Sequence, residues 1–196
     1  MKIKMIYLAA GNSRRFGNNK LYHEIAGRPM FLYGLDVLEQ VLKETENTVL
    51  TVVTVYEEIR KEVLTRKKLW QERLEVVDSP DSGKGISCSI RAGLTGTAAD
   101  YYLFCVADQP WILTETILEL IRKTTEKHCL GGWVQWNDIS GNPTIFSKEL
   151  LPQLLALDGD TGGKSILRKQ KNICVVQAKQ AAEIKDIDVP FGSEEG

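Results

Sequence analysis

Residues on which many enzyme classes depend are scarce or scattered in this chain. It has two histidines, His23 and His128, whose spacing does not suit metal ligation, which argues against a histidine-centred hydrolase. Its four cysteines form no C-x-x-C pair, so neither a zinc site nor a redox dithiol has support in the sequence. No apolar run is long enough to cross a bilayer, which argues against a membrane-spanning protein.

Charge of one sign is not in excess either, since 25 Lys and Arg stand against 26 Asp and Glu. A balanced charge provides no basic field to attract nucleic acid, so a nucleic-acid partner is not expected. The chain enters an apolar segment directly, without a secretory signal, and we expect a cytoplasmic protein without a membrane partner. Its 196 residues suit one compact domain, with a monomer as the default.

What the chain does have is an alternation of apolar and amphipathic segments. Apolar, β-branched runs predict strands at residues 3–8, 48–55, 75–77 and 101–107. Apolar residues at helical spacing predict a helix at residues 30–43, and a charged run with sparse apolar positions predicts a surface helix at residues 57–68. These two helices separate the first three strands. This βαβαβ order favours a parallel sheet with helices on both faces.

The second half of the chain continues the alternation less regularly. A helix is expected to begin at Ser87 or Ser89, and Thr114 is expected to cap the next one. Residues 140–146 lead into a helix, and no strand is assigned to them. The other predicted elements are a strand at 131–136, helices at 114–127, 147–157 and 165–169, and closing strands at 173–177 and 184–189.

Residues 8–20 form a loop of small residues directly after the first predicted strand. Gly11 and Gly17 let the backbone approach a ligand and expose its N–H groups. Arg14 or Arg15, together with Lys20, adds positive charge that can surround a polyphosphate. The spacing is neither that of a P-loop nor that of the G-x-G-x-x-G dinucleotide fingerprint. A solvated turn with surface charges is the alternative interpretation of these residue types.

Asp108 ends the most strand-like run of the chain. Ligands of parallel sheets gather at the carboxyl ends of the strands, and a carboxylate there can hold Mg²⁺ together with substrate phosphates. The alternative is that Asp108 caps a turn before Pro110. Asp186 and Asp188 are two residues apart and would face one side of a strand, so a second metal ligand can come from either.

Two further loops carry polar groups without a decisive pattern. Residues 79–94 contain hydroxyls and open backbone N–H groups that can recognise a nucleobase edge, although an ordinary capped loop is the simpler interpretation of this stretch alone. Residues 158–164 are rich in glycine and precede a short helix. They can hold an anion, which Asp160 would oppose, or they can form a structural turn.

The first loop, L-A-A-G-x-S-x-R-x-G-x-x-K, resembles the signature of the MobA-like nucleotidyltransferases, and within them most closely the molybdenum cofactor cytidylyltransferases. Later segments resemble the family's G-x-x-S-S-x-x-x-G, G-D-Q-P, G-H-P-x-x-F with G-D-x-G-A, and D-I-D-T-P, in the same order. The positions that depart from these patterns are Cys88 for serine, Ala107 for glycine, Asn142 for histidine, Gly163 for alanine and Val189 for threonine.

The resemblance implies an α/β fold that is Rossmann-like and GT-A-like, with a mostly parallel mixed sheet and helices on both faces. Residues 1–196 would form one domain, in which about residues 1–110 hold the nucleotide, about 111–190 hold the acceptor, and 191–196 are a tail. The implied reaction is Mg²⁺-dependent transfer of CMP from CTP to the phosphate of molybdopterin, with release of pyrophosphate. A molybdoenzyme or its chaperone would then be a further partner.

Two alternative functions stay open. The same loop would serve another nucleotidyltransferase, which makes a guanylyl cofactor or activates a sugar or alcohol phosphate. Outside enzymes, the chain would be a nucleotide-binding accessory protein for molybdoenzyme maturation. Cytosine is the expected base, because glycine in place of Ala10 would produce the L-A-G-G form associated with guanylyltransferases, and the methyl group of Ala10 narrows the pocket toward a pyrimidine.

The resemblance also assigns roles to individual residues. Arg15, Lys20 and Asp108 are expected to act in catalysis. The metal candidates are Asp108, Asp186 and Asp188, and the acceptor candidates are Gln109, Asn142, Pro143 and Asp160. The nucleotide candidates are Leu8, Ala9, Ala10, Gly11, Ser13, Arg15, Lys20, Pro80, Gly85, Ser87 and Ser89.

Overall fold

A computed structural model describes residues 1–11 and 19–188 of the chain. Its strands are β1 Ile3–Ala9, β2 Glu24–Ile25, β3 Arg28–Pro29, β4 Thr48–Thr54, β5 Leu74–Asp78, β6 Tyr101–Val106, β7 Gly131–Trp136, β8 Ile139–Ser147 and β9 Ile173–Gln177. Its α-helices are α1 Met30–Glu44, α2 Glu57–Trp70, α3 Ile86–Gly93, α4 Thr114–Glu126, α5 Leu151–Leu155 and α6 Lys164–Leu167. None of the described helices is both long and apolar enough to span a membrane.

The main sheet of the described residues has seven strands in the order β5-β4-β1-β6-β8-β7-β9. Strands β5, β4, β1 and β6 run parallel to one another. Strand β8 is antiparallel to both of its neighbours, and β7 and β9 are parallel. The strands β2 and β3 form a separate small hairpin. The predicted α/β fold with a mostly parallel mixed sheet is therefore confirmed.

Both faces of the sheet are covered by helices, as the apolar runs of its central strands require. In β1, Met5 and Tyr7 belong to one apolar cluster, whereas Ile6 belongs to another. The first cluster includes residues of α1, α2 and α4, and the second includes residues of α3, α5 and α6. This alternation specifies the register of β1 in the sheet, because a shift by one residue would turn each side chain to the opposite face. The end of β1, where the first loop begins, therefore lies at a defined place on the edge of the sheet.

The segment at residues 139–147 differs from the prediction, which assigned it no strand. It forms β8, which lies between β6 and β7 and pairs with both. Gly141, Asn142 and Pro143 are residue types that are depleted in strands. The neighbouring strands nevertheless supply hydrogen-bond partners and apolar contacts, such as the edge-on packing of Phe146 against Phe104 with ring centroids 5.6 Å apart. Tertiary pairing overrides local propensity in this segment.

The closing strand predicted at residues 184–189 is wrong in its described part. A short 3-10 turn ends at Ile184, residues 185–188 have no regular structure, and position 189 lies outside the described residues. The N–H of Ile187 donates a hydrogen bond to the carbonyl of Asp108 (2.9 Å), and the Ile187 side chain is buried with Ile25 and Met30. This backbone hydrogen bond and this buried side chain help to hold the segment in place of a strand ladder.

The predicted serine and threonine caps are also wrong. Helix α3 begins after Gly85 and α4 begins after Leu113, and neither residue makes a side-chain capping bond. At α4, the fully buried carboxylate of Glu183 accepts a hydrogen bond from the N–H of Leu113 (3.4 Å). A carboxylate from a distant segment therefore stabilises the N-terminus where Thr114 was expected to act.

The cysteines agree with the sequence prediction only in part. Cys105 is buried in β6 like a small apolar residue, and burial raises the pKa of its thiol. Cys129 and Cys174 are 45 residues apart in the chain, yet their sulfur atoms lie 2.8 Å apart where β7 and β9 begin. A buried pair of thiols is therefore present, although the spacing along the chain does not reveal it.

Candidate active site

The carboxyl ends of the central parallel strands meet at one edge of the sheet. The N–H of Ala107 donates to the carbonyl of Leu8 (3.1 Å), which ties the end of β6 to the end of β1. The hydroxyl of Thr54 donates to the carbonyl of Ala9 (2.9 Å), which ties the end of β4 to the same place. Ligands of parallel sheets bind at such an edge. The first loop and the segment after β6 therefore start side by side.

Lys20 and Asp108 form an ion pair at this edge although they are 88 residues apart in the chain. The Lys20 Nζ atom lies 2.6 Å from Asp108 Oδ2 and 3.3 Å from Asp188 Oδ1. Burial alone would lower the pKa of Lys20, but the charge of Asp108 and hydrogen bonds to both carboxylates raise it above its ordinary value. Lys20 is therefore a positive charge held between two carboxylates.

Asp186 reaches the same edge through Gln109. The side-chain amide of Gln109 donates to the carbonyl of Ile184 (3.0 Å) and to Asp186 Oδ1 (2.6 Å). Burial and the nearby charge of Asp108 raise the pKa of the Asp186 carboxyl above its ordinary value. Because Gln109 is only 4% exposed, its described role is to position Asp186. The acceptor contact expected of Gln109 stays a prediction.

Glu183 anchors the segment that carries Asp186, and the sequence prediction missed it. Besides its bond to α4, the Glu183 carboxylate accepts hydrogen bonds from the N–H groups of Lys179 (2.7 Å) and Gln180 (3.2 Å). Gln180 and Glu183 form a capping box on the short turn that precedes Asp186. The three-residue spacing of Gln180 and Glu183 was the one sequence signal for this anchor.

The donor groups fit a divalent cation as a partial set of ligands. Asp108 and Asp188 contact one ammonium group, and the carboxyl of Asp186 is electrostatically coupled to Asp108. Such oxygens suit Mg²⁺, which uses one or two carboxylates and completes its shell with water and phosphates. Within residues 1–11 and 19–188, no group of three or more His, Cys, Asp or Glu could hold a metal by itself. The metal roles of these aspartates stay predictions.

The stretch expected to recognise the base lies at the start of α3. The hydroxyls of Ser89 and Ser79 lie 3.2 Å apart and are hydrogen-bonded to each other. Ser87 is fully buried, and its Oγ atom has no hydrogen-bond partner among the described residues. The hydroxyl of Ser89 is therefore satisfied inside the protein, whereas that of Ser87 is unused. A nucleotide contact by either serine stays a prediction.

Ala10 does not line an exposed wall in the described structure. It is 1% exposed and belongs to the apolar cluster that contains Ile6, Val53 and Ile90. Its methyl group therefore lies in the layer between the sheet and α3. An effect of this methyl group on the choice of base acts through the separation of β1 and α3, and not through direct contact with an open pocket.

Two glycines join the expected nucleotide half to the expected acceptor half. Gly85 has a φ angle of 131°, and a Cβ atom there would lie 2.3 Å from the carbonyl carbon and oxygen of Gly159. The N–H of Ser87 donates to that same carbonyl (3.2 Å). Only glycine therefore fits at position 85, for reasons of both φ and space. The loop at residues 158–163 is docked on the start of α3.

The remaining candidate residues differ in exposure, or they lie outside the described residues. Ser13 and Arg15 lie in the segment 12–18, outside the described residues. Gly11, Pro80 and Asp160 are exposed, whereas Asn142 is half-buried and Pro143 is buried in β8. The binding roles of all these residues stay predictions.

Three relatives resemble the chain over different lengths. The purine catabolism protein PucB of Bacillus subtilis is 26% identical over 94% of this chain and 91% of its own length. The 2-C-methyl-D-erythritol 4-phosphate cytidylyltransferase of Dictyoglomus thermophilum is 30% identical over 64% of this chain and 53% of its own. A probable molybdenum cofactor guanylyltransferase of Pyrococcus horikoshii is 50% identical over only 20% of this chain and 21% of its own.

Solved structures share the fold at lower identity. Rv0371c of Mycobacterium tuberculosis superposes with a TM-score of 0.72 at 20% identity, over 96% of this chain and 94% of its own. Its complex with manganese superposes with a TM-score of 0.68 at 20% identity, over 100% of this chain and 94% of its own. The family described as MobA-like NTP transferase domain matches residues 5–173, which include the carboxyl edge with Lys20 and Asp108. The chain belongs to the MobA-like nucleotidyltransferases.

Proposed function

We propose that this nucleotidyltransferase transfers CMP from CTP to the phosphate of molybdopterin, releases pyrophosphate and requires Mg²⁺. The observation that carries the proposal is the contact of Lys20 with Asp108, with Asp188 beside them, at the carboxyl edge of the sheet. This contact joins the motif lysine of the first loop to the motif aspartate after β6. A cation for the triphosphate and a carboxylate for a divalent ion are therefore available at one place.

The reaction requires alignment more than acid–base catalysis. An oxygen of the acceptor phosphate bonds to the α-phosphorus of CTP, and the bond from that phosphorus to the β-phosphate oxygen breaks, so pyrophosphate leaves. A phosphomonoester is largely ionised at neutral pH, because its second pKa is about 6. No residue has to remove a proton from the nucleophile, which agrees with the scarcity of histidine. The charge of Lys20 stabilises the leaving pyrophosphate.

Asp108, together with Asp186 or Asp188, would hold the metal. When bound, Mg²⁺ supplies neutralisation of the charge on the reacting phosphates. Gln109 and the buried side chain of Ile187 keep the two C-terminal aspartates beside Asp108. The manganese complex of the similar Rv0371c structure supports a divalent ion in this fold.

The preference for cytosine is supported by the start of α3 and the end of β1. The unused hydroxyl of Ser87 can complement the amino group or ring acceptors of cytosine. Ala10 fills the apolar layer between β1 and α3, and its methyl group would act on the choice of base through the separation of these two elements. The match to the cytidylyltransferase of Dictyoglomus thermophilum extends over 125 residues, whereas the match to the guanylyltransferase of Pyrococcus horikoshii extends over 40 residues. The longer match favours cytosine over guanine. We expect kcat/KM for CTP to exceed that for GTP at least about tenfold, or about 1.4 kcal/mol.

Molybdopterin as the acceptor is supported by the motif resemblance and by the molybdenum cofactor relative. The product would pass to a molybdoenzyme or its chaperone in the cytoplasm.

The proposal is tested by pyrophosphate release after the protein is mixed with Mg²⁺, molybdopterin and CTP, GTP or UTP in parallel. The fastest release is expected with CTP, and UTP should be the closer competitor. A preference for GTP would contradict the cytidylyl assignment but not the family. If the protein binds nucleotide but none of the three mixtures releases pyrophosphate, the result would favour an accessory protein.

A further inference from the structure

Two cations on the acceptor side of the sheet were not assigned a role by the sequence. Lys164 is the first residue of α6, and Arg168 follows its last residue, so the two side chains are one helical turn apart. The Lys164 Nζ atom donates to the backbone carbonyl of Ser140 in β8 (3.3 Å). The guanidinium of Arg168 donates to the Ser140 hydroxyl (3.3 Å). Both cations therefore converge on one residue.

Neither cation has a carboxylate partner in the described part of the chain. The ion pairs found there within 4.0 Å include those of Lys20, Arg66 and Lys148, but none of Lys164 or Arg168. Lys164 is half-buried, and burial lowers the pKa of its ammonium group. A partly dehydrated ammonium beside a second cation is costly unless an anion compensates it. This arrangement suits a group with two negative charges.

The pair lies close to the carboxyl edge of the sheet. Next to Ser140 in β8, Gly141 packs so closely on Ile184 that a Cβ atom would lie 2.4 Å from the Ile184 Cβ. The carbonyl of Ile184 accepts the hydrogen bond from Gln109, the neighbour of Asp108. Lys164 is also near enough to Asp186 for that charge to act on it. In the sheet order, the first loop follows β1, Asp108 follows β6, and Ser140 lies in the next strand, β8. The two cations and the first loop therefore lie on opposite sides of Asp108.

We propose that Lys164 and Arg168 form the subsite that binds the phosphomonoester of the acceptor, the group that attacks the nucleotide. This inference rests on the proposed function, and it names the residues that receive the second substrate. A dianionic phosphate must approach a negatively charged triphosphate, so it requires positive charge of its own. Arg168 can bind two phosphate oxygens through its planar guanidinium, whereas Lys164 adds a compact point charge.

Kinetics of Lys164→Gln and Arg168→Gln test the subsite in the full chain. The KM for molybdopterin is expected to rise at least about tenfold in each variant, or about 1.4 kcal/mol of binding, while the KM for CTP stays within about twofold. Lys164→Arg is expected to restore most of the affinity. Lys169→Gln is the matched control, because Lys169 is the neighbour of Arg168 and is exposed as Arg168 is, so the variant removes one positive charge without removing the contact of Arg168 with Ser140.

A binding experiment separates this proposal from the proposed function. Inorganic phosphate is titrated into the protein without nucleotide, and the amide NMR signals of Ser140 and Ser165 are followed. Saturable shifts are expected in the wild-type protein and in Lys169→Gln, but not in Lys164→Gln or Arg168→Gln. This result would support the subsite even if no transfer from CTP to molybdopterin were observed.

Ser140→Ala distinguishes an anion subsite from a purely structural clamp between α6 and β8. It removes the hydroxyl that Arg168 contacts but leaves both charges in place. We expect this variant to retain the phosphate-dependent shifts and the KM for molybdopterin. The proposal would be overturned if Ser140→Ala reproduced the losses of the charge variants. It would equally be overturned if those variants bound phosphate and molybdopterin like the wild type.

Discussion

The two sides of the candidate site hold positive charge in different ways. On the side proposed for the nucleotide, Lys20 is paired with Asp108 and Asp188. On the side proposed for the acceptor, Lys164 and Arg168 donate hydrogen bonds to uncharged oxygens of Ser140. A ligand on the nucleotide side must therefore compete with an existing ion pair. An anion on the proposed acceptor side would meet two cations that have no carboxylate within 4.0 Å among the described residues, although the charge of Asp186 acts on Lys164 from a greater distance.

This difference predicts what substitutions do to stability. Removing one partner of a partly buried ion pair leaves the other charge unpaired, which is costly. Substitutions at Lys20 or Asp108 are therefore expected to change both stability and transfer. Removing Lys164 or Arg168 leaves no carboxylate unpaired, so their loss should weaken acceptor binding while the free energy of unfolding changes little.

The largest expected effect is that of Asp108→Asn. Losing a charged ligand at the reacting phosphates should reduce kcat/KM at least about 100-fold. Asp100→Asn is the matched control. Asp100 comes directly before the first residue of β6, at the end of the strand that is far from Asp108, and it pairs with Lys148 (2.8 Å). Steady-state rates of the two folded variants decide the point. Near-normal turnover in Asp108→Asn would contradict the proposed catalytic role of Asp108.

Lys20→Ala is expected to slow transfer by about 10- to 100-fold, because the leaving pyrophosphate loses a stabilising charge. In the absence of nucleotide, it should also bind Mn²⁺ more tightly than the wild type, since the ammonium no longer competes for Asp108. Arg15→Ala should slow transfer strongly as well, and Arg14→Ala should have less effect.

Titration of Mn²⁺ by electron paramagnetic resonance measures the change in affinity. Lys84→Ala is the control, because Lys84 is an exposed lysine paired with Asp81 (2.7 Å). Unchanged Mn²⁺ affinity in Lys20→Ala would contradict direct competition between the ammonium and the metal.

Ile187→Ala tests whether the buried side chain positions the two C-terminal aspartates. The side chain is 8% exposed, and its loss should destabilise residues 185–188 locally by about 2 kcal/mol. We expect roughly tenfold weaker Mn²⁺ binding, with the global melting temperature close to that of the wild type. Ile139→Ala serves as the exposed control, since Ile139 is 66% exposed. Metal affinity equal to the wild type would exclude a positioning role for Ile187.

Asp186→Asn is expected to have a small effect on stability, and the size of this effect depends on pH. The folded state raises the pKa of Asp186 above its ordinary value of 3.8, first through burial and then through repulsion by Asp108. The folded protein therefore holds a proton that the unfolded chain releases, and the contribution of Asp186 to the free energy of unfolding falls as the pH rises through this interval. In urea unfolding from pH 3.5 to 7, Asp186→Asn should gain stability relative to the wild type as the pH rises. A difference between the two proteins that stays constant with pH would contradict the raised pKa.

The parallel half of the fold was predictable because its signals are local. The apolar, β-branched runs that became β1 and β4 and the helical spacing in α1 were sufficient. The antiparallel strand β8 was not predictable, since Gly141, Asn142 and Pro143 indicate a loop until the neighbouring strands are known. The proximity of Lys20 and Asp108 was predictable from the motif resemblance, because a family's motifs imply its fold and with it contacts between distant residues.

Other parts of the site depend on contacts that no spacing rule reports. Asp186 and Asp188 were expected on one side of a strand, but burial of Ile187 between them determines the course of the chain. The Lys164 and Arg168 pair was missed because its shared partner, Ser140, comes from another strand. For Glu183, the spacing to Gln180 indicates only the capping box, and the bond to Leu113, 70 residues away in the chain, has no signal in the sequence.

The central claim is nucleotidyl transfer, and the fate of each phosphorus of CTP tests it most directly. The protein is incubated with Mg²⁺, molybdopterin and CTP that carries a radioactive label in either the α- or the γ-phosphate. The account predicts that the α-label appears on the acceptor and that the γ-label leaves as pyrophosphate in equal amount. A γ-label on the acceptor, or no label on it from either CTP, would contradict the account.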